Sequence, residues 1–406
     1  MKVFNSALFL FLLSIEEIVC LPTGAAKAIH LPLQLIKRKN IEKRSSGVEL
    51  PVLNDADLSE LAIQVNLGTL GKQFTLLFDT GSADTWVPSV HCSAADGCPD
   101  FLNRYDPSSS GSYQPLNEEI NISYYTASAT GTYFTDQLSL SSGYTLQNQT
   151  MALMNSTVGA IATQNETYSV ILDGVFGAGL PAGTVRALNG RSPYDPVPVS
   201  LYKSGLIPQP VFSVSMGSQD TGKVVFGDII TDNTNTPFVY SPLVTTHGSS
   251  PARWTIHSMG FQFQNKTTAR NFRFNQKTPV AIDTGTNLMY LPSMLAKELA
   301  HTIAPGQVKY HSGLFEVDCG YQESSDLLKA YFPGMDGKTV YVSIPISKLV
   351  AKRASDGICF FLFTPADGQL IFGNMFLRHF VVVYDFGTLP RIGLAPFVEN
   401  QVSVLL

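Results

Sequence analysis

The same short motif occurs twice in this chain. Leu76-Leu77-Phe78-Asp79-Thr80-Gly81-Ser82 recurs as Val280-Ala281-Ile282-Asp283-Thr284-Gly285-Thr286, 204 residues further on. Each copy is an apolar run driven into Asp-Thr-Gly and followed by a hydroxyl residue. Each is followed at a similar distance by an apolar-apolar-Gly segment. Val175-Phe176-Gly177 ends 98 residues after Asp79, and Ile371-Phe372-Gly373 ends 90 residues after Asp283. Offsets so alike predict two lobes of similar topology, each presenting one carboxylate.

A simple turn accounts for Asp and Gly in such a motif. It does not account for the apolar strand before it or the hydroxyl after it. A strand of this kind carries Asp79 and Asp283 inward, where an isolated carboxylate is costly. Gly81 and Gly285 leave room for two lobes to approach and offer backbone N–H groups to the carboxylates. Ser82 and Thr286 can hydrogen-bond the outer carboxylate oxygens. Two carboxylates face to face cannot both ionise cheaply, so the pair shares a proton. One then acts as base toward a water while the other donates to a substrate carbonyl.

The rest of the chain reads as β-structure. Leu61 to Leu67, Phe74 to Phe78 and Lys223 to Phe226 alternate or run apolar between Gly, Pro, Ser and Asn. Helices are expected only near Pro292–Ile303 and Val199–Lys203. Apolar residues at 44% and aromatics at 11% exclude a disordered chain. With 27 basic and 32 acidic residues, and no Lys/Arg stripe beyond the N-terminal region, nucleic acid is not an expected partner. There is no Gly-x-Ser-x-Gly and no His-Glu-x-x-His, so neither a serine hydrolase nor a zinc protease is indicated. No cofactor or metal is expected.

The first 44 residues differ. Lys2 precedes the apolar run Ala7 to Leu13, which suits a secretory signal, here assigned to residues 1–28. Residues 29–44 form a basic pro-segment ending in Lys43-Arg44, a dibasic junction. Either Lys37 or Lys39 is expected to pair with the carboxylates in a zymogen, or the stretch is a solvated linker. Residues 1–44 carry seven basic and three acidic groups, so the mature chain of 20 basic and 29 acidic residues is acidic. Cys20 falls in the signal, leaving Cys92, Cys98, Cys319 and Cys359. Their even number suits an oxidising compartment, with three connectivities open and the close Cys92/Cys98 pair favouring a small loop. Five sequons, at Asn121, Asn148, Asn155, Asn165 and Asn265, are expected surface glycan sites. The tail from Val398 to Leu406 is too short and polar for a GPI signal.

Taken together, residues 60 to 397 resemble a pepsin-family aspartic protease. Asp79 to Pro88, with Trp86 in the family position, Asp173 to Gly179, Leu370 to Arg378 and Ile392 to Pro396 carry the resemblance. It implies an all-β, bilobal fold with a deep cleft between two related lobes, residues 45–230 and 231–406. It also implies disulfides Cys92–Cys98 and Cys319–Cys359. Asp79 and Asp283 become the catalytic pair, supported by Thr80, Gly81, Ser82, Thr284, Gly285 and Thr286. Tyr124 becomes the tyrosine of a flap over the cleft, its expected partner Trp86. The family's flap-tip glycines are replaced by Tyr125 and Ala127, so a left-handed backbone there would mean strain or a reshaped flap.

The pocket before the scissile bond is expected from Leu77, Tyr124, Leu172 and Val175, with neutral Thr126 where Lys-accepting relatives carry an acid. Asp173 is expected to bond backbone. The implied function is a secreted acid endopeptidase acting on polypeptides, preferring bulky apolar residues, monomeric and without a membrane anchor. The alternatives are a vacuolar destination, a GPI-anchored processing protease, or a catalytically silent peptide binder.

Overall fold

The strand Lys72–Asp79 alternates, with Phe74, Leu76 and Phe78 buried and the residues between them less so. That period-two pattern is what a half-buried strand requires. It pairs antiparallel with Ser59–Leu67, whose Leu61, Ile63, Val65 and Leu67 enter the same core. On its other side Gly174–Gly177 runs parallel to it, bringing Gly177 beside Asp79. The second copy repeats the plan. Ala269–Ile282 pairs antiparallel with Thr255–Gln264, and its end runs parallel to Ile371–Phe372. Short strands after each motif complete the likeness: Trp86–Pro88 lies antiparallel to the first threaded segment and Met289–Leu291 to the second.

The computed structural model describes residues 26–37, 59–140, 143–166, 168, 170–216, 221–232, 234, 236–245, 249–397 and 403–405. Most of the expected signal, residues 38–44 of the expected pro-segment and its junction at Arg44 lie outside these residues. Among the described residues the chain is mainly β, in sheets of 13, 8 and 4 strands. The largest holds the first motif, and the C-terminal strands Phe380–Asp385 and Arg391–Pro396 also join it. The eight-stranded sheet holds the second motif. This is the all-β, bilobal architecture expected above. The helix Ser293–Ile303 stands where the sequence predicts it, burying Ala296, Leu299, Ala300 and Ile303. Val197–Lys203 begins two residues before the expected start, because Pro198 suits a first helical turn.

One strand lies inside the expected pro-segment. Ile29–Lys37 inserts between Thr221–Phe226 and Ser59–Leu67, burying Ile29, Leu31 and Leu33 while His30, Pro32 and Gln34 stay exposed. Pro32 falls where the strand has a neighbour on one side only, so its missing N–H breaks no second ladder.

Behind both motifs sits an aromatic cluster. Phe212 stacks on Tyr384 with centroids 4.7 Å apart and meets Trp254 and Phe78 edge-on. The Trp254 indole donates to the carbonyl of Ala178 over 2.9 Å, tying the second half of the chain to the first motif's threaded segment. Truncating such a fully buried ring removes transfer energy and leaves a cavity. Phe212→Ala should therefore lower unfolding stability by about 3–5 kcal/mol, read from urea denaturation. A loss under about 1 kcal/mol would show that the cluster packs loosely.

Candidate active site

Both motif aspartates sit at the end of an apolar strand, and the chain turns sharply there. Asp79 is 5% exposed. The Gly81 N–H donates to Asp79 Oδ1 over 2.7 Å, and the Ser82 hydroxyl donates to Asp79 Oδ2. In the other copy the Gly285 N–H donates to Asp283 Oδ1 over 2.8 Å and the Thr286 hydroxyl to Asp283 Oδ2 over 2.7 Å. Each glycine also faces the opposite carboxyl group. A methyl at Gly81 would stand 2.5 Å from Asp283 Cγ, and one at Gly285 would meet Asp79. Any larger residue at either position would force the two carboxylates apart.

The threonines lock the halves together. Thr80 N–H donates to Thr284 Oγ1 and Thr284 N–H to Thr80 Oγ1, both over 3.0 Å. Each hydroxyl then donates to a carbonyl of the opposite strand, Thr80 to Ile282 over 3.0 Å and Thr284 to Phe78 over 2.7 Å. All of these groups are buried, where satisfied hydrogen bonds fix geometry and unsatisfied ones are costly. The threaded segments support the loops from behind. Ala178 N–H donates to the Asp79 carbonyl over 2.7 Å, and Asn374 Nδ2 donates to the Thr284 carbonyl over 2.8 Å.

Burial, and next the charge of Asp283, raise the Asp79 carboxyl well above its ordinary 3.8. The bonds from Ser82 and Gly81 pull the other way and do not offset this. Asp79 therefore keeps its proton across mildly acidic pH.

The hairpin Gln114–Ser123 and Ser128–Leu140 projects Tyr124 and Tyr125 at its tip. The Trp86 indole donates to the Tyr124 hydroxyl over 2.7 Å. Burial and the Asp79 charge push the Tyr124 phenol far up, so it stays a neutral donor. Neither Tyr125 nor Ala127 has a left-handed backbone, so the missing tip glycines cause no such strain. The tip closes with Tyr124 N–H donating to the Ala127 carbonyl over 2.8 Å.

The sequence reading missed Gly159, which lies at φ +101° beside the tip. A methyl there would stand 2.5 Å from Ala127 Cβ and 2.7 Å from the Thr126 carbonyl. It also missed Tyr290, whose ring meets Tyr125 across the cleft at 5.6 Å. A third omission is Asp84, buried and accepting from Tyr133, Tyr194 and Val185 N–H. Its place five residues after Asp79 and two before Trp86 was the available signal.

Leu77, Tyr124, Leu172 and Val175 pack in one apolar cluster with Trp86 and Ile161. Thr126 is exposed. Asp173 accepts from Thr75 N–H, Asn103 N–H and Asn103 Nδ2, so its carboxylate serves backbone and amide. Disulfides join Cys92 to Cys98 and Cys319 to Cys359. Among the described residues no group of three or more His, Cys, Asp or Glu side chains could hold a metal ion, and no helix is long and apolar enough to cross a membrane.

Comparison with known proteins gives a consistent result. A family model described as eukaryotic aspartyl protease matches residues 60–397. Mucorpepsin of Rhizomucor miehei is 36% identical over 363 residues, covering 87% of this chain and 83% of the relative. Mucorpepsin of Rhizomucor pusillus is 37% identical over 89% of this chain and 84% of its own. Pepsin A of Bos taurus is 29% identical over 86% and 87% respectively.

The raised carboxyl of Asp79 sets a pH dependence of stability. Below the unfolded value the group is protonated in both states and costs nothing. As pH rises, the unfolded chain ionises first, so stability is lost until the folded pKa is passed. Asp84 and Asp173, both raised chiefly by burial, act in the same direction. The melting temperature should fall between about pH 4 and about pH 7, and less steeply in Asp79→Asn. A flat profile in the wild-type protein contradicts this account.

Proposed function

The chain belongs to the eukaryotic aspartyl protease family, and from that premise we propose which residues perform the hydrolysis and what the cleft accepts. The protein is an aspartic-type endopeptidase acting on polypeptides. Asp79 and Asp283 are its catalytic pair. One observation carries this assignment: two carboxyl groups held face to face, each bonded to its own motif's glycine N–H and hydroxyl.

With one proton between them, the ionised carboxylate takes a proton from water as the water oxygen attacks the scissile carbonyl carbon. The protonated partner donates to the carbonyl oxygen. The tetrahedral diol then collapses: one diol hydroxyl gives its proton to the ionised carboxylate as the carbonyl re-forms, the C–N bond breaks, and the nitrogen leaves with the proton of the other carboxyl, so the pair again holds one proton. Thr80, Gly81, Ser82, Thr284, Gly285 and Thr286 hold the geometry. Because the reaction requires that shared proton, the optimum lies at about pH 3–5. Asp79→Asn and Asp283→Asn should each remove essentially all peptidase activity. A residual rate above about a tenth of wild type, worth only ~1.4 kcal/mol, would sink the assignment.

The cluster of Leu77, Tyr124, Leu172 and Val175 supports a pocket for a bulky apolar side chain before the scissile bond. Burying Leu or Phe there contributes roughly 1.5–3 kcal/mol. Thr126 is neutral and Asp173 is already bonded, so a buried Lys finds no partner. A peptide library should show cleavage at bulky apolar residues, and cleavage dominated by Lys or Arg would instead favour a processing protease.

The remaining reading is a secreted, glycosylated monomer made as a zymogen, with signal 1–28, pro-segment 29–44 and lobes 45–230 and 231–406. N-terminal sequencing of secreted material should begin at or near Ser45. A single terminus at or near Ile29 would show that no pro-segment is cut.

A further inference from the structure

The flap is tied to the two halves of the molecule in different ways. Toward the first lobe it is anchored: Trp86 bonds the Tyr124 hydroxyl, and the backbone of Gly159 presses against Thr126 and Ala127. Toward the second lobe it offers Tyr125, a residue 62% exposed to solvent. That ring lies 5.6 Å from the Tyr290 ring at an interplanar angle of 47°. Tyr290 has a rigid mount. It sits on the short strand Met289–Leu291, whose flanking side chains are fully buried and whose neighbours are Phe363–Pro365 and Ile371–Phe372. It lies seven residues after Asp283 and feels that carboxylate's charge.

A polypeptide lying between the two aspartates and the flap must pass beneath the tip. The ring pair spans the cleft there, so it cannot stay closed while a chain is laid in from outside. Aromatic pairs are weak, and this one is largely wet on the Tyr125 side, so it can open without unfolding anything else. The firm contacts at Tyr124 and Gly159 give the hairpin its hinge side, and the Tyr125–Tyr290 contact gives it a free side.

We propose that Tyr125 and Tyr290 form an aromatic gate that holds the flap against the second lobe in the free enzyme, and that substrates enter by parting the two rings. The gate rests on reading the cleft as the peptide-hydrolysing site. It sets how fast an extended chain is admitted. Once parted, the Tyr290 ring faces the incoming peptide as an aromatic wall on the Asp283 side. Apparent association is then the intrinsic rate multiplied by the open fraction, and weakening the pair raises that fraction.

The test reads binding rather than hydrolysis. Association of a statine-containing peptide inhibitor is followed by stopped-flow tryptophan fluorescence, with Trp86 reporting through its bond to the flap. Tyr125→Ala and Tyr290→Ala should each raise the association rate constant by about 2- to 10-fold, the factor that losing one aromatic pair carries. The double variant should equal either single variant, because both remove the same contact. Tyr125→Phe keeps the ring and should behave as wild type. Additive effects, an unchanged rate, or slower association in the alanine variants would overturn the gate. Inhibitor that binds with these rates to a protein lacking peptidase activity would leave the gate standing and defeat the catalytic reading instead.

Discussion

The reciprocal pair of bonds between Thr80 and Thr284 is the joint on which the structure turns. Each threonine gives its N–H to the other's hydroxyl and its hydroxyl to the carbonyl of the residue just before the opposite aspartate. Four buried hydrogen bonds fix the relative position of two loops that lie 204 residues apart. Neither loop could hold its carboxylate at a set distance from the other without them, because each lies at the end of a strand in a different sheet. The aromatic layer of Phe78, Phe212, Trp254 and Tyr384 stiffens that joint from below.

The same joint creates an electrostatic problem that becomes the chemistry. Bringing two carboxyl groups into a dry site makes the second ionisation expensive. The glycine N–H and hydroxyl donors favour charge but do not undo the upward shift caused by burial and by the facing acid. The result is a site that retains a proton in acid and resists losing it. Such a protein carries its acid preference in the core rather than on its surface. The cost appears as stability that declines toward neutral pH, to which the buried Asp84 and Asp173 add.

Above the carboxylates the flap shows how a local departure is absorbed by its surroundings. With Tyr125 and Ala127 at the tip, the freedom of glycine is not needed there, since neither takes a left-handed backbone. Close approach is supplied instead by Gly159 on the neighbouring segment, which does adopt positive φ. The large side chain that replaces a glycine then reaches the other lobe. One substitution in the hairpin thus changes which elements touch across the cleft.

The duplicated motif and its near-equal offsets already specified the plan of the site. An apolar run ending in Asp-Thr-Gly has few ways to bury itself, and two of them need each other to satisfy their polar groups. The helix at Ser293–Ile303 was legible from its spacing, and Leu77, Leu172 and Val175, singled out only by the family resemblance, pack in one apolar cluster. The strand Ile29–Lys37 could have been read from the alternation of Ile29, Leu31, Leu33 and Leu35, but the basic residues that follow drew it into a pro-segment read without structure. Tyr290 and Gly159 carry no local signal, since a lone Tyr or Gly fits many settings, and the place of Asp84 beside the motif marks it without saying what it bonds. Their roles come from what lies across space: a flap tip, a hairpin backbone, two tyrosines and a helix start. Sequence determined which groups would meet at the joint, because the motif repeats and its chemistry is self-complementary. Only tertiary packing decided what covers them, because contacts between distant segments depend on chain paths that no short-range pattern encodes.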